Sequence, residues 1–343
     1  MASSQFAIGT FSFAGSPPFA GLVMDDRVIA LHAMTRILHR LDLHPIGADS
    51  VLSLLEHWEH NFAILQKVAD IWSADGVEYA KEKESVSFVS IRQLKVHPPV
   101  NLPRQIFCCG ANYRTHVIDL MADQVWPDTA DMSKEQRRAF ATKMMDDRAA
   151  NGVPYFFSKA PSAVSGAYDP IVVPRNVQKP DWELELAVVI GRPARHVRRE
   201  RAFDYIAGYT IGNDISNRDL IIRTDIKQIG TDWVVGKCMP TYLPLGPYLV
   251  PKAFVERVEN LRITLKLNGE VKQDEDTSDM IFDVARQLEY LTSYIQLWPG
   301  DVFLTGSPAG NGTHFNRYLR PGDVVESSIT GLGTQRNECI AEG

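Results

Sequence analysis

The most chemically suggestive stretch of this chain is Asp181-Trp182-Glu183-Leu184-Glu185-Leu186-Ala187-Val188-Val189-Ile190-Gly191. Read as a strand, it sets Glu183 and Glu185 side by side on one face, while Trp182, Leu184, Leu186, Val188 and Ile190 fill the other. Two carboxylates that close must face solvent, share a proton, pair with basic groups or bridge a cation. A solvated edge strand satisfies the same pattern. A second acidic motif, Gly212-Asn213-Asp214-Ile215-Ser216-Asn217-Arg218-Asp219, ends the apolar run YIAGYTIGN. Asp214 brought to Glu183 and Glu185 would complete an all-oxygen set suited to Mg2+, Mn2+ or Ca2+ rather than zinc; an Asn-Asp turn closed by Arg218 fits the local sequence as well. His116, in CGANYRTHVIDL, has Asp119 one helical turn on, where a carboxylate can orient and charge-stabilise an imidazole. A structural histidine reads the same way.

The elements that must position these groups follow from periodicity. Eight short apolar runs beyond residue 100 read as strands: QIFCCG, PIVVP, LELAVVIG, YIAGYTIGN, YLPLGPYLV, NLRITLKLNGE, DVFLTG and DVVESSITGLG. Their irregular spacing, with few long helices between them, favours a rolled or barrel-like β core over a doubly wound parallel sheet. Two helices are expected in this half. One opens at the capping-box pattern Ser133-Lys134-Glu135-Gln136, and the other runs from Phe282 through DVARQLEYLTSYIQL. Ahead of them, FAGLVMDDRVIALH predicts a hairpin around Asp25-Asp26. DSVLSLLEHWEHNFAILQKVADIW predicts a helix with an Asp or Ser cap and an apolar stripe from Leu54 to Ile71. Pro98, Pro99 and Pro103 mark a boundary near residue 100. The expected organisation is α+β, with a small α/β domain over 1–100 and a catalytic domain over 101–343.

Length and composition limit the function classes. The 343 residues can bury a large core, and 45% hydrophobic with 23% charged residues is ordinary for a globular chain. Thirty-six basic against 42 acidic residues give a net charge of −6, which argues against nucleic acid as a partner. Nothing approaches the ~20 apolar residues of a membrane helix, and the start MASSQFAIGTFSFAG lacks the basic and apolar regions of a signal peptide. Cys108, Cys109, Cys238 and Cys339 have no C-x-x-C spacing. A cytoplasmic protein with reduced thiols and no membrane partner is expected. Gly230 to Lys237 misses a phosphate-binding loop because five residues separate its glycines and Cys238 stands where Ser or Thr belongs. The GSPAG run from Gly306 is no nucleophile elbow, since Ser307 is second rather than third.

Taken in order, CCGANYRTHV, FFSKAPSAVSG, DWELELAVVIG, AGYTIGNDISNRD, VGKCMPTYLPLGP, LNGEVKQDEDTSDMIF, PGDVFLTGSPAGNG and PGDVV…GLGTQRN resemble the fumarylacetoacetate hydrolase superfamily, from about Arg104 to Ile340. The resemblance implies a mixed β-roll and a homodimer. It also implies Glu183, Glu185 and Asp214 as metal ligands for Mg2+ or Mn2+, with Ca2+ an option. His116 falls at the family's general base, and Asp119 where many members carry a Glu that partners it. Lys159 and Lys237 match site lysines, Ser307 replaces a more usual Thr that contacts substrate carboxylate, and Arg218 and Thr241 sit at pocket-lining positions. Ile221 stands where many relatives have Gln.

The activity this implies is metal-dependent hydrolysis of a C–C bond in an acylpyruvate-like or related β-diketo acid. His116 would activate water, and Lys237 or Lys159 would stabilise the enolate that leaves. Decarboxylation, tautomerisation or hydration of a 2-oxo acid through the same enolate is the alternative, and a non-catalytic binding protein on this fold is a third. Residues 119–152 exceed the loop of the smallest relatives. Their helix, with Phe140, Met144 and Met145 to one side, fits either a lid or a permanently packed element, and with Trp126 the lid reading points to a bulky substrate tail.

Overall fold

A computed structural model describes residues 4–73, 88–125 and 127–343. All eight apolar runs form strands, with cores at Ile106–Gly110, Ile171–Val173, Leu184–Ile190, Ile206–Asn213, Leu243–Pro251, Arg262–Leu267, Val302–Leu304 and Val324–Ile329. Eleven more strands are described, some from the expected hairpin and others from segments outside these runs, such as Ala7–Ser12 and the edge strand Tyr155–Ser158.

Among the described residues, twelve strands make one mixed sheet. Its main path runs through Phe19–Met24, Ala7–Ser12, Leu243–Pro251, Ile206–Asn213, Leu184–Ile190, Val302–Leu304, Ile106–Gly110 and Tyr155–Ser158. Leu184–Ile190 lies at its centre, antiparallel to both neighbours, with Leu184 opposite Asn213 and Ala187 opposite Leu304. Every residue of the strand is buried. The solvated edge that the Glu-x-Glu spacing also allowed is therefore excluded: a continuous apolar run such as LELAVVI is stable only with both faces covered. The acidic pair sits at one end of the strand, inside the protein.

A second sheet of five strands, ordered Glu270–Asp276, Arg262–Leu267, Val324–Ile329, Gly333–Ala341 and Ile171–Val173, packs on the first. Ile263, Leu265, Leu267, Val325 and Ile329 face the shared core, and the Gln335 amide reaches the carbonyls of Ile211 and Gly246 at 3.1 Å. This is the mixed roll expected of the sequence. Segments on both sides of the boundary near residue 100 contribute to the large sheet, since Ile8 pairs with Leu249, and to one continuous core.

Local chemistry sets the remaining elements. Met24 pairs with Arg27 across Asp25-Asp26, with Asp25 in the left-handed region at φ 55°, giving the expected hairpin. The expected long helix breaks at His57 into Val51–Glu56, capped by Ser50, and Trp58–Ser73. Ser133 and Gln136 form a complete capping box at the start of Lys134–Asn151, and Asp283 caps Val284–Tyr294. No helix among the described residues is long and apolar enough to cross a membrane. Leu186 is fully buried in the central strand, so Leu186→Ala should lower unfolding free energy by about 2–5 kcal/mol. Chemical denaturation would measure that loss, with far-UV circular dichroism unchanged in buffer.

Candidate active site

The acidic cluster is assembled by two strand ends. Because Leu184 is paired with Asn213, the next residues outward meet: the Asp214 N–H donates to the Glu183 carbonyl at 2.8 Å, and the Glu183 N–H donates to the Asn213 side-chain oxygen at 2.9 Å. Glu185 lies one pleat further in, beside Gly212. Glu183, Glu185 and Asp214 each offer an oxygen within 4.8 Å of the others, and all three are buried.

Three cations close around them. Lys237 donates to Glu183 at 2.7 Å and to Asp214 at 2.5 Å, while Lys159 reaches the other Asp214 oxygen at 2.5 Å and the Ile215 carbonyl at 3.0 Å. Arg218 pairs with Glu183 and, through Nε at 2.9 Å, with Asp181. Burial alone would raise the Glu183 carboxyl, but Arg218 and Lys237 outweigh it and hold the group well below the usual carboxylate range. Burial likewise opposes the Lys237 charge, and Asp214 and Glu183 overcome it.

Glu185 is the exception. It accepts the Gly306 N–H at 2.6 Å and has no ion pair of its own among the described residues, Lys237 acting on it only from a distance. Burial, then Asp214 and Glu183, push its pKa well above the usual value. With Glu185 ionised, four buried carboxylates, counting Asp181, would face three cations, one positive charge short of balance. An all-oxygen pit with one carboxylate lacking a cationic partner fits a hard divalent ion. Gly306 is needed at this point: its φ is +102°, and a Cβ there would come within 2.8 Å of the Asn112 Cβ.

Other residues singled out in the sequence divide into those near the pit and those engaged elsewhere. Ser307 follows Gly306, and its hydroxyl accepts from Gln273 at 2.9 Å. Ile221 packs against the helix Trp233–Lys237 that carries Lys237; a Cβ on Gly236 would meet its Cγ1 at 2.4 Å. Thr241, with φ 67°, accepts the Val172 N–H at 2.8 Å and so ties the loop after Lys237 to the second sheet.

His116 lies on the helix Arg114–Asp123, partly buried, in the field of Glu183 and Arg218. Its ring partner is not Asp119. His116 Nδ1 is 3.1 Å from His314 Nε2, whereas Asp119 is ion-paired with Arg138 of the neighbouring helix. The direct His116–Asp119 pair expected from their spacing is thus replaced, because the helix Lys134–Asn151 supplies Asp119 with a guanidinium. That helix packs on Arg114–Asp123 through Val117, Ile118, Ala141 and Met145; Phe140 and Met144 are exposed. Its C-terminal end is anchored by Arg286 to the Ala149 and Gly152 carbonyls at 2.7 Å. Trp126 lies outside the described residues.

Two groups escaped the sequence reading as site residues. Asp181 accepts Arg218, Gly312 N at 2.5 Å and the Thr313 hydroxyl at 2.9 Å; its position beside the Glu-x-Glu pair was the available signal. His314, two residues past Gly312, carried no local signal.

Because Glu185 holds its proton to higher pH than an unfolded carboxyl, the metal-free protein binds the extra proton in the folded state. Its ionisation therefore subtracts stability as pH rises from about 4.5 through the raised value. Divalent cation binding at neutral pH should release protons and raise the melting temperature, and Glu185→Gln should abolish the proton release and weaken binding by at least about tenfold. Calorimetry of Mn2+ binding to EDTA-treated protein, in buffers of different ionisation enthalpy, measures both.

Residues 105–340 match the family model described as Fumarylacetoacetate (FAA) hydrolase C-terminal. The chain is 35% identical over 245 residues to a mitochondrial oxaloacetate tautomerase of Homo sapiens, covering 71% of this chain and 68% of that one. Among solved structures, a probable 2-hydroxyhepta-2,4-diene-1,7-dioate isomerase from Mycobacterium abscessus is 27% identical, covers 98% of this chain and 99% of its own, and has a TM-score of 0.68. A fumarylacetoacetate hydrolase from Exiguobacterium antarcticum is 25% identical, with 98% and 100% coverage and a TM-score of 0.71. The sheet order, the carboxylate cluster and these matches lead to one assignment: the chain is an enzyme of the fumarylacetoacetate hydrolase family.

Proposed function

We propose that this chain catalyses divalent-cation-dependent enolate chemistry on a small 2-oxo acid, with keto–enol tautomerisation of an oxaloacetate-like dicarboxylate as its leading reaction. The observation that carries this reading is the pit itself: three convergent carboxylates bounded by Lys159, Lys237 and Arg218, with His116 within their field. Similarity to the human oxaloacetate tautomerase over 71% of the chain supports the substrate class.

A divalent ion bound by Glu183, Glu185 and Asp214 would polarise a 2-oxo carbonyl and make charge on its oxygen less costly. Lys237 and Lys159 add fixed positive charge on the same side, in a water-poor interior where electrostatic stabilisation is strong. His116 would take a proton from the carbon next to the carbonyl. The C–H electron pair becomes the new C=C bond, the carbonyl π pair moves to oxygen, and protonation of that oxygen completes the enol. Burial, then the neighbouring His314, lower the His116 pKa, which keeps its ring neutral near pH 7 with one nitrogen lone pair free. The Phe157 ring lies 4.8 Å from Lys237 Nζ and stacks on Trp233 at 4.8 Å, forming an apolar wall beside the pit.

C–C bond hydrolysis of an acylpyruvate-like substrate is the second reading, favoured by similarity to the Exiguobacterium antarcticum fumarylacetoacetate hydrolase along nearly the whole chain. There His116 would activate water instead of a carbon acid. The two are separated by supplying oxaloacetate and an acylpyruvate to EDTA-treated enzyme, with and without Mg2+ or Mn2+, following enol absorbance and identifying products. Tautomerisation predicts faster keto–enol relaxation with no new carboxylic acid, restored by metal and lost in Asp214→Asn. Release of pyruvate from the acylpyruvate would favour hydrolysis. In either case His116→Ala should lower kcat by ~10²–10⁴-fold.

A further inference from the structure

A neutral imidazole acts as a base only through the nitrogen that carries no hydrogen, so a histidine base needs something to choose its tautomer. In this protein the group at His116 Nδ1 is another imidazole: His314 Nε2 at 3.1 Å, with ring centroids 5.2 Å apart and planes inclined at 53°. One of the two nitrogens donates and the other accepts.

Burial, with Arg218, lowers the His314 pKa against the pull of Asp119, Asp123 and Asp181, so this ring too is neutral and carries a single hydrogen. Asp119 is also paired with Arg138, and Asp123 with Lys134 at 2.6 Å, so neither is a bare charge, yet each has a second carboxylate oxygen. With Nε2 turned to His116 at 3.1 Å, the His314 tautomer that fits a base at His116 carries its hydrogen on Nδ1. Its Nε2 is then an acceptor, His116 must donate from Nδ1, and the lone pair of His116 is left on Nε2.

The placement of His314 is built rather than incidental. Asp181 accepts Gly312 N at 2.5 Å and Thr313 N at 3.2 Å, pinning the two residues before it, and a Cβ at Gly312 would collide with the Arg317 carbonyl at 2.2 Å and the Asp181 carboxylate at 2.6 Å. The short helix Gly312–Phe315 ends at Asn316 in the left-handed region, φ 47°. The same Asp181 also accepts Arg218, the partner of Glu183. One buried carboxylate therefore registers the His314 loop against the pit.

We propose that His314 is a positioning residue that accepts the Nδ1 hydrogen of His116 and so holds it in the tautomer whose Nε2 can take a proton. This rests on the reading of His116 as the base. When His116 takes a proton at Nε2, its Nδ1 hydrogen stays bound to His314, a second imidazole standing where the Asp119 side chain, paired with Arg138, does not.

The test uses the full chain loaded with Mn2+ for turnover and the Mg2+-loaded, 15N-histidine-labelled protein for NMR. In the wild type the His116 ring should be a single tautomer, hydrogen on Nδ1. His314→Ala should lose that preference and lower kcat at least about tenfold with KM within about twofold. His314→Gln, whose side-chain oxygen can accept from Nδ1, should restore the tautomer and much of kcat, whereas a purely packing role would leave Gln no better than Ala. Melting temperatures of both variants separate these effects from misfolding. The proposal is overturned by a wild-type His116 with its hydrogen on Nε2, by unchanged kcat in His314→Ala, or by a kcat loss with the His116 tautomer unaltered. If none of the 2-oxo acids is turned over, the functional reading fails, and the NMR tautomer alone decides the His116–His314 relation.

Discussion

Four carboxylates are buried together in one cluster of this protein, and the architecture around them follows from having to hold them. Asp181, Glu183, Glu185 and Asp214 are each at most 7% exposed. Removing a carboxylate from water costs several kcal/mol unless hydrogen bonds and opposite charges replace the solvent. Each replacement comes from a different element: Lys159 from the edge-strand side, Arg218 from the turn after the second strand, Lys237 from a short helix, and the Gly306 N–H from the loop after Val302–Leu304. The cluster thus ties segments far apart in the chain, and loosening one leaves a buried charge unpaired. Glu185, without a cation of its own, is where a divalent ion would complete the balance.

Asp181 extends the constraint from charge to geometry. Its two oxygens take Arg218 on one side and Gly312 and Thr313 on the other, so the Glu183 partner and the His314 loop are held by one group. The helix carrying His116 is fixed from behind by Lys134–Asn151, whose Arg138 occupies Asp119. The histidine pair therefore sits at the junction of three independently anchored pieces, and small packing changes in any of them reach the reacting atoms.

Family membership leaves the reaction open, because one pit of carboxylates and cations stabilises enolate charge whatever breaks or forms next to it. The distinguishing parts lie around the pit. Ile221 packs under Gly236, an apolar seat for the short helix that carries Lys237. Phe157 and Trp233 make the adjoining wall apolar, and the histidine pair replaces a direct carboxylate–histidine contact.

Much was legible in the residues alone. Eight apolar runs became strands, and Ser133, Ser50 and Asp283 capped the helices their patterns announced, because strand alternation and capping are local and need no distant partner. The Glu183–Glu185 pair was legible from its spacing and Asp214 from the acidic motif after YIAGYTIGN, whereas Lys159, Lys237 and Ser307 came only through the ordered motifs. What local pattern could not decide was which neighbour each polar group meets. Glu-x-Glu reads the same on an edge or in the centre of a sheet, and only the pairing of Leu184–Ile190 with strands on both sides buried it. His116 and Asp119 are one turn apart, yet hydrogen bonds form with whatever the tertiary structure brings within reach: His314, 198 residues away, for the one and Arg138 for the other. Side-chain identity and local period are properties of the sequence; the partner of a buried charge or ring nitrogen belongs to the packed fold.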